Sequence, residues 1–206
     1  MRLRALIFDC DGTLTDTMGL HYSSWRRSLA GHGIALSEEE FFANSGTPSS
    51  RVIPAVANRA GVPLEFQEAL AEKERYFLED LPNLKMFDSV VAVAEKYRGQ
   101  LPLAVASGGT RRLVESQLKQ VNILHWFDTV VTCEDTEKHK PDPDVFLEAA
   151  RRLGVNAEDC CVFEDGDPGI EAADRAEMLC IDVRPYREQR EIVTATREML
   201  ALMDAG

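Results

Sequence analysis

What this chain lacks narrows the field before anything it contains. No apolar run approaches the ~20 residues a membrane-spanning helix needs. The run over residues 5–8 ends on Asp9 and is too short for a signal-peptide core. A cytoplasmic protein with no membrane partner is therefore expected. Basic charge is also short: 23 Lys and Arg stand against 35 Asp and Glu, a formal net charge of -12. Nucleic acid is excluded as an expected partner, because gripping its phosphate backbone needs a basic stripe. Small phosphate esters are not excluded, since one or two local cations and a metal suffice for them. The five cysteines (Cys10, Cys133, Cys160, Cys161 and Cys180) include no Cys-x-x-Cys pair. They read as free, mostly buried small apolar side chains, and neither a disulfide framework nor a thiolate metal site is expected. No internal repeat and no low-complexity segment occurs, and a monomer is the default.

What is there suits a globular enzyme-sized chain. Hydrophobic residues make up 45% and charged ones 28%, enough apolar material for a real core. A length of 206 residues is long for one minimal domain and short for two full ones, so one core domain with a sizeable insertion is expected. Strand-sized apolar runs occur at residues 4–8, 102–106, 129–132, 160–163 and 179–183. They are continuous rather than alternating, the pattern of strands covered on both faces in a parallel sheet. Amphipathic helical patterns separate them at residues 87–97, 110–120 and 143–153, with a last one expected over 187–203. Strands alternating with helices predict an α/β, doubly wound fold. Residues 17–84 break the alternation with helical patterns at 20–31, 37–44, 49–60 and 64–81. This predicts a core of residues 1–16 and 85–206 with an inserted all-helical cap, where Ser37 and Glu40 form a capping box.

The chemistry-bearing residues fall at the ends of the expected strands. The first ends in Asp9-Cys10-Asp11-Gly12-Thr13, and side chains two apart on extended backbone share a face. Asp9 and Asp11 would then lie side by side, a repulsion relieved by a divalent cation or a proton. Gly12 and Thr13 would turn the chain and offer donors to a phosphate, although Asp-Gly is also common in plain turns. The second strand ends in Ser107-Gly108-Gly109-Thr110 and enters a helix carrying Arg111 and Arg112. A hydroxyl with backbone N–H groups at a helix start is a ready anion site, so Ser107 and Gly108 are phosphate-binding candidates. Lys138-His139-Lys140-Pro141 follows the third strand. Lys140, braced by Pro141, suits a positioned cation, and Lys138 a solvated one. The fourth ends in Glu164-Asp165-Gly166-Asp167-Pro168, whose acids are costly beside an apolar run unless a cation meets them. Glu164 and Asp165 complete, with Asp9, a hard oxygen set of the kind Mg2+ prefers. Asp167 reads instead as a helix N-cap.

Taken together, these segments resemble the haloacid dehalogenase-like superfamily of phosphotransferases, and the likeness spans essentially the whole chain. The resemblance implies that Asp9 is the nucleophile and Asp11 the general acid/base. It implies that Ser107 and Lys140 bind the transferring phosphoryl group. It further implies Mg2+ held by Asp9, the Asp11 backbone carbonyl and Asp165, with Glu164 close by. The namesake dehalogenases lack the second aspartate, so Asp11 speaks for phosphoryl transfer. Gly166 departs from the family, where many members carry a small hydroxyl residue. The insertion is similar to the cap of the β-phosphoglucomutase-like branch, through Asp16-Thr17, His21 and Trp25. Gly46-Thr47-Pro48, Lys138-His139-Lys140-Pro141 and Phe163-Glu164-Asp165 are closest to bacterial fructose-1-phosphate phosphatase-like members.

The expected function is an Mg2+-dependent phosphatase acting on a small phosphorylated metabolite, a sugar phosphate by preference, through an aspartyl-phosphate. The alternative within the branch is a β-phosphoglucomutase, in which cap His21 and Arg51 grip a second phosphate. Lys73 and Arg75, on a later cap helix, face either the substrate or solvent, and solvent is the preferred reading. A non-catalytic binding protein on the same fold is the third reading, but it has no need of Asp9, Asp11, Ser107, Lys140 and Asp165 together.

Overall fold

Runs such as Ala5-Leu6-Ile7-Phe8 become strands because each of their faces meets helices. In the computed structural model, which describes residues 3–44, 49–187 and 201, this run is β1 (Ala5–Phe8), and all of it is buried. It lies at the centre of a five-stranded parallel sheet. β4 (Leu103–Ala106) and β5 (Thr129–Val131) flank it on one side, β6 (Cys160–Glu164) and β7 (Leu179–Asp182) on the other. The register pairs Phe8 with both Val105 and Phe163, so the strands around β1 end at one level.

Alternation along β1 feeds two cores. Leu6 and Phe8 pack with α5 (Asp88–Tyr97) and α6 (Arg111–Gln120), through Val90, Val93, Ala94, Val114 and Leu118. Ala5 and Ile7 pack with α7 (Asp144–Leu153) and α8 (Asp167–Arg175), through Phe146, Ala149, Ala172 and Ala173. Each large apolar side chain buried in this way stabilises the fold by about 1.5–3 kcal/mol. The expected α/β doubly wound core is thus the one observed.

The described residues group into two compact units, one from within residues 17–84, the other from within residues 1–16 and 85–206. β2 (Thr15–Asp16) and β3 (Lys85–Met86) pair antiparallel where the chain leaves and re-enters the sheet unit. The unit of Thr17–Leu84 holds α1 (Met18–Gly31), α2 (Glu38–Ala43), α3 (Ser49–Ala60) and α4 (Phe66–Asp80) around Trp25, Leu29, Ile53, Val56 and Ala69. Ser37 caps α2 as expected, accepting from Glu40 N–H at 3.1 Å. The reciprocal half of the capping box does not form, because the Glu40 carboxylate pairs with Arg59 instead. Asp167 is not the N-cap of α8. Gly166 holds that position, and Asp167 points outward to meet Arg184 at 2.7 Å. Of the expected helix over residues 187–203, Arg187 belongs to the short α9 (Arg184–Arg187) and Ala201 is helical, while its other residues, like Gly46-Thr47-Pro48, lie outside the described residues.

Candidate active site

The level end of the sheet brings Asp9, Ser107, Glu164 and Asp165 to one rim, and the loop after β5 adds Lys140. Asp9 is anchored through its N–H to the Phe163 carbonyl at 3.0 Å, and Ser107 through its own to Val131 at 3.0 Å. Lys140 joins the group together. Its Nζ donates to Asp9 Oδ1 at 2.6 Å, Glu164 Oε2 at 3.0 Å and the Ala106 carbonyl at 3.3 Å. Its side chain is 13% exposed and lies over the Phe146 ring at 4.8 Å. Low dielectric strengthens these contacts and raises the cost of leaving any of them unmade.

Asp165 is placed by contacts on both oxygens. Thr13 Oγ1 donates to Oδ1 at 3.0 Å and Arg187 Nη1 to Oδ2 at 3.0 Å, the same guanidinium nitrogen donating to the Gly12 carbonyl at 2.7 Å. Gly12 is required here twice over. Its φ is +86°, and a Cβ would lie 2.3 Å from Asp165 Oδ2. Glu164 is wedged similarly, since a Cβ on Gly169 would lie 2.1 Å from its Oε1, which accepts from Gly166 N–H at 3.2 Å. Gly166 therefore meets Glu164 through its backbone.

Some expected roles change. Asp11 stays near enough for its charge to raise Asp9, but the group of close carboxylate oxygens consists of Asp9, Glu164 and Asp165. Cys10 stays in the core beside Phe8, and Asp11 Oδ1 accepts from Gln117 Nε2 at 3.0 Å. The Asp11 carboxylate is thus not part of the acidic cluster, and only its backbone carbonyl remains as the ligand atom that the resemblance implied. Thr13 and Gly12 do not offer donors to a phosphate. The Thr13 hydroxyl is taken by Asp165, and the two N–H groups bond the Cys10 and Thr15 carbonyls at 3.3 and 2.8 Å. Ser107 is buried and its Oγ accepts from Gly109 N–H at 3.0 Å, while Gly108 is exposed with open space beside it. Arg111 is drawn off to Asp135 and Glu115.

In the helical unit, Lys73 is not solvated as its charge suggested. It is 5% exposed, its Nζ lies 2.9 Å from His21 Nδ1, and the Phe77 and Trp25 rings lie beneath it at 5.0 and 6.0 Å. Arg51 and Arg75 are exposed. Sequence reasoning named Lys73 but preferred a solvated reading of it, and missed Arg187 and Gln117. The last alone carried a signal: a polar residue in the phase of Leu113, Val114 and Leu118 on an otherwise apolar helix face.

Carboxylate oxygens, one each from Asp9, Glu164 and Asp165, lie within 4.8 Å of one another. Burial pushes the Asp9 carboxyl well above the usual carboxylate range, Glu164 adds to this, and Lys140 opposes it. Glu164 and Asp165 are raised as well, again by burial first. Burial works to lower the Lys140 ammonium, but Asp9 and Glu164 outweigh it and hold it above the ordinary lysine value. Two buried carboxylates and one half-buried one, all hard oxygen donors, fit Mg2+.

A pH prediction follows. An acid with a folded pKa above its unfolded one holds its proton more tightly when folded. Stability therefore falls as pH rises from the ordinary carboxylate value through the raised one. Glu148, held down to about 2 chiefly by Arg151, loses its stabilising contribution only in more acidic solution and does not oppose this trend. Metal-free protein is expected to melt at a higher temperature near about pH 5.5 than near about pH 7.5. Saturating Mg2+ should flatten the difference and raise both values. Thermal melts with EDTA or Mg2+ check this, and a metal-free melting temperature that climbs with pH would contradict it.

Comparison with known proteins agrees with this geometry. Residues 3–177 match the haloacid dehalogenase-like hydrolase family. The chain is 36% identical over 188 residues to fructose-1-phosphate phosphatase YqaB of Escherichia coli, covering 89% of this chain and 97% of that one. Among solved structures it superposes on CbbY from Rhodobacter sphaeroides in complex with phosphate, with TM-score 0.81, 23% identity and coverage of 92% and 89%. It also superposes on β-phosphoglucomutase from Clostridium difficile, with TM-score 0.76, 21% identity and coverage of 97% and 99%. The likeness to these two is one of fold.

Proposed function

The chain belongs to the haloacid dehalogenase-like hydrolase family, and we propose that it is an Mg2+-dependent phosphatase of small phosphorylated sugars working through an aspartyl-phosphate on Asp9. One observation carries the reading: Lys140 holds the buried Asp9 carboxylate at 2.6 Å beside Glu164 and Asp165. A carboxylate so placed is shielded from water, faces a cation that works against its raised proton affinity, and lies next to a site for a divalent ion.

Asp9 attacks phosphorus and the ester P–O bond breaks, while Asp11, protonated, gives its proton to the departing oxygen. Water then attacks the aspartyl-phosphate and gives its proton to Asp11. The bond from phosphorus to Asp9 breaks, and inorganic phosphate and free Asp9 result. Lys140 and Ser107 bind phosphoryl oxygens, Lys140 offsetting the charge that would keep two anions apart. The carboxylates of Asp9 and Asp165 and the Asp11 carbonyl would hold Mg2+, with Glu164 alongside. When bound, the ion neutralises phosphoryl charge as a Lewis acid. In the helical unit, the His21–Lys73 pair is the cationic group we assign to substrate selection. The similarity to a fructose-1-phosphate phosphatase supports a sugar phosphate as the substrate.

The test is a panel of phosphate esters with Mg2+, fructose 1-phosphate among them, read as free phosphate released. Release from sugar esters that stops with EDTA is expected. Conversion of β-glucose 1-phosphate to the 6-phosphate without phosphate release would replace the phosphatase with a mutase. No turnover of any ester would favour a binding protein.

A further inference from the structure

Gln117 lies on α6 among Leu113, Val114 and Leu118 and is fully buried. A primary amide in such a place costs about 1–3 kcal/mol for each group left unbonded. None is wasted here. Nε2 donates to Asp11 Oδ1 at 3.0 Å, while Oε1 faces the Thr15 hydroxyl at 2.8 Å and the Cys10 thiol at 3.3 Å. Asp11 Oδ1 accepts here whether Oδ2 is ionised or carries the proton, so the N–H end faces it, and the hydroxyl and thiol take the oxygen end. The amide is therefore held in one orientation by groups on both sides. It tethers one Asp11 oxygen and leaves the other turned to the Ser107 loop. Asp11 Oδ2 and Ser107 Oγ both lie 3.4 Å from where a Cβ on Gly109 would sit.

We propose that Gln117 is a positioning residue for proton transfer: its amide holds Asp11 so that the second carboxyl oxygen faces the oxygen of the leaving group. The inference rests on Asp11 acting as the acid, as argued above. A proton donor works only within hydrogen-bond reach of its target, so loss of the tether costs most where the proton matters most. An alkoxide leaving group needs that proton, whereas p-nitrophenolate departs without it.

The experiment measures kcat/KM, which reports steps up to loss of the leaving group, for an alkyl phosphate and for p-nitrophenyl phosphate. Wild type, Asp11→Asn, Gln117→Leu and Gln117→Met are compared with Mg2+ present. The ratio of the two values is taken on one preparation, so a smaller folded fraction cancels. Gln117→Leu leaves the Thr15 hydroxyl its bond to the Cys10 carbonyl at 3.0 Å, and the half-buried Asp11 can take water in place of the lost amide. Gln117→Met serves if the branched side chain does not fit. The alkyl-to-nitrophenyl ratio should fall about tenfold or more in the Gln117 variants and further in Asp11→Asn. If Asp11→Asn lowers the ratio and neither Gln117 variant does, this inference is overturned and the acid role of Asp11 stands. If Asp11→Asn leaves the ratio unchanged, the acid role fails and the inference goes with it.

Discussion

Asp9→Asn is expected to fold, to retain phosphate esters and to turn over none, with kcat down by about 10^4-fold or more. The amide is nearly isosteric, so the packing at the end of β1 is kept, and its oxygen can still accept from Lys140. What disappears is the attacking charge. A neutral amide oxygen cannot form the acyl phosphate, and no neighbouring carboxylate can substitute. Glu164 Oε2 is held by Lys140 and Oε1 by the Gly166 N–H, and both Asp165 oxygens are engaged by Thr13 and Arg187. The melting temperature in EDTA should not drop, because Glu164 and Asp165 each help raise Asp9 and removing one of three crowded charges relieves the others. Wild-type protein quenched in acid during turnover should carry one additional phosphoryl mass, and Asp9→Asn none. Turnover surviving in the variant at a tenth of wild type would end the covalent mechanism.

How far this site was legible follows from what holds each residue. The segments bearing Asp9, Ser107 and Glu164 follow continuous apolar runs. Ala5 to Phe8 are buried on both faces, and that requirement is written in every residue. Lys140 stood out because Pro141 and Pro143 flank Asp142 beside it. By contrast, β2 and β3 have two residues each, too few to show any period, and their pairing depends on where residues 17–84 begin and end.

The partners of the acids were harder to see. Gln117 is 106 residues from Asp11, and only the fold brings them together. Thr13 reads as a phosphate donor from its neighbours in sequence, yet Gly12 at φ +86° lets Asp165 close enough to claim its hydroxyl. Lys73 misled for a related reason. A lysine in a helix with many charges reads as solvated, but the Trp25 and Phe77 rings offer π-faces that lower the cost of burying it. A one-dimensional pattern records which side chains prefer to be buried, whereas the partner that makes burial of a charged one tolerable is set by tertiary contact.

Lys140→Met should cost both stability and activity, and the two losses should respond differently to Mg2+. The ammonium is the shared partner of two carboxylates that are 7% and 5% exposed. Methionine fills the same space with nothing to donate, so Asp9 and Glu164 are left facing each other. Breaking a buried pair in this way typically costs about 3–5 kcal/mol. For a chain of this size that is roughly 6–20 °C in melting temperature at neutral pH in EDTA. The loss should shrink in acid, because with Lys140 gone the two carboxyls bind protons more readily and the repulsion vanishes once one is protonated. It should also shrink with Mg2+, which supplies positive charge to the same oxygens. Activity should not recover in parallel. Lys140 also binds the phosphoryl group, and kcat should stay about 10^2–10^3-fold down at saturating metal. If one Mg2+ concentration restored both melting temperature and kcat, Lys140 would be a counter-ion alone. Unaltered melting in EDTA would mean that the Asp9–Lys140–Glu164 bridge contributes nothing to the fold.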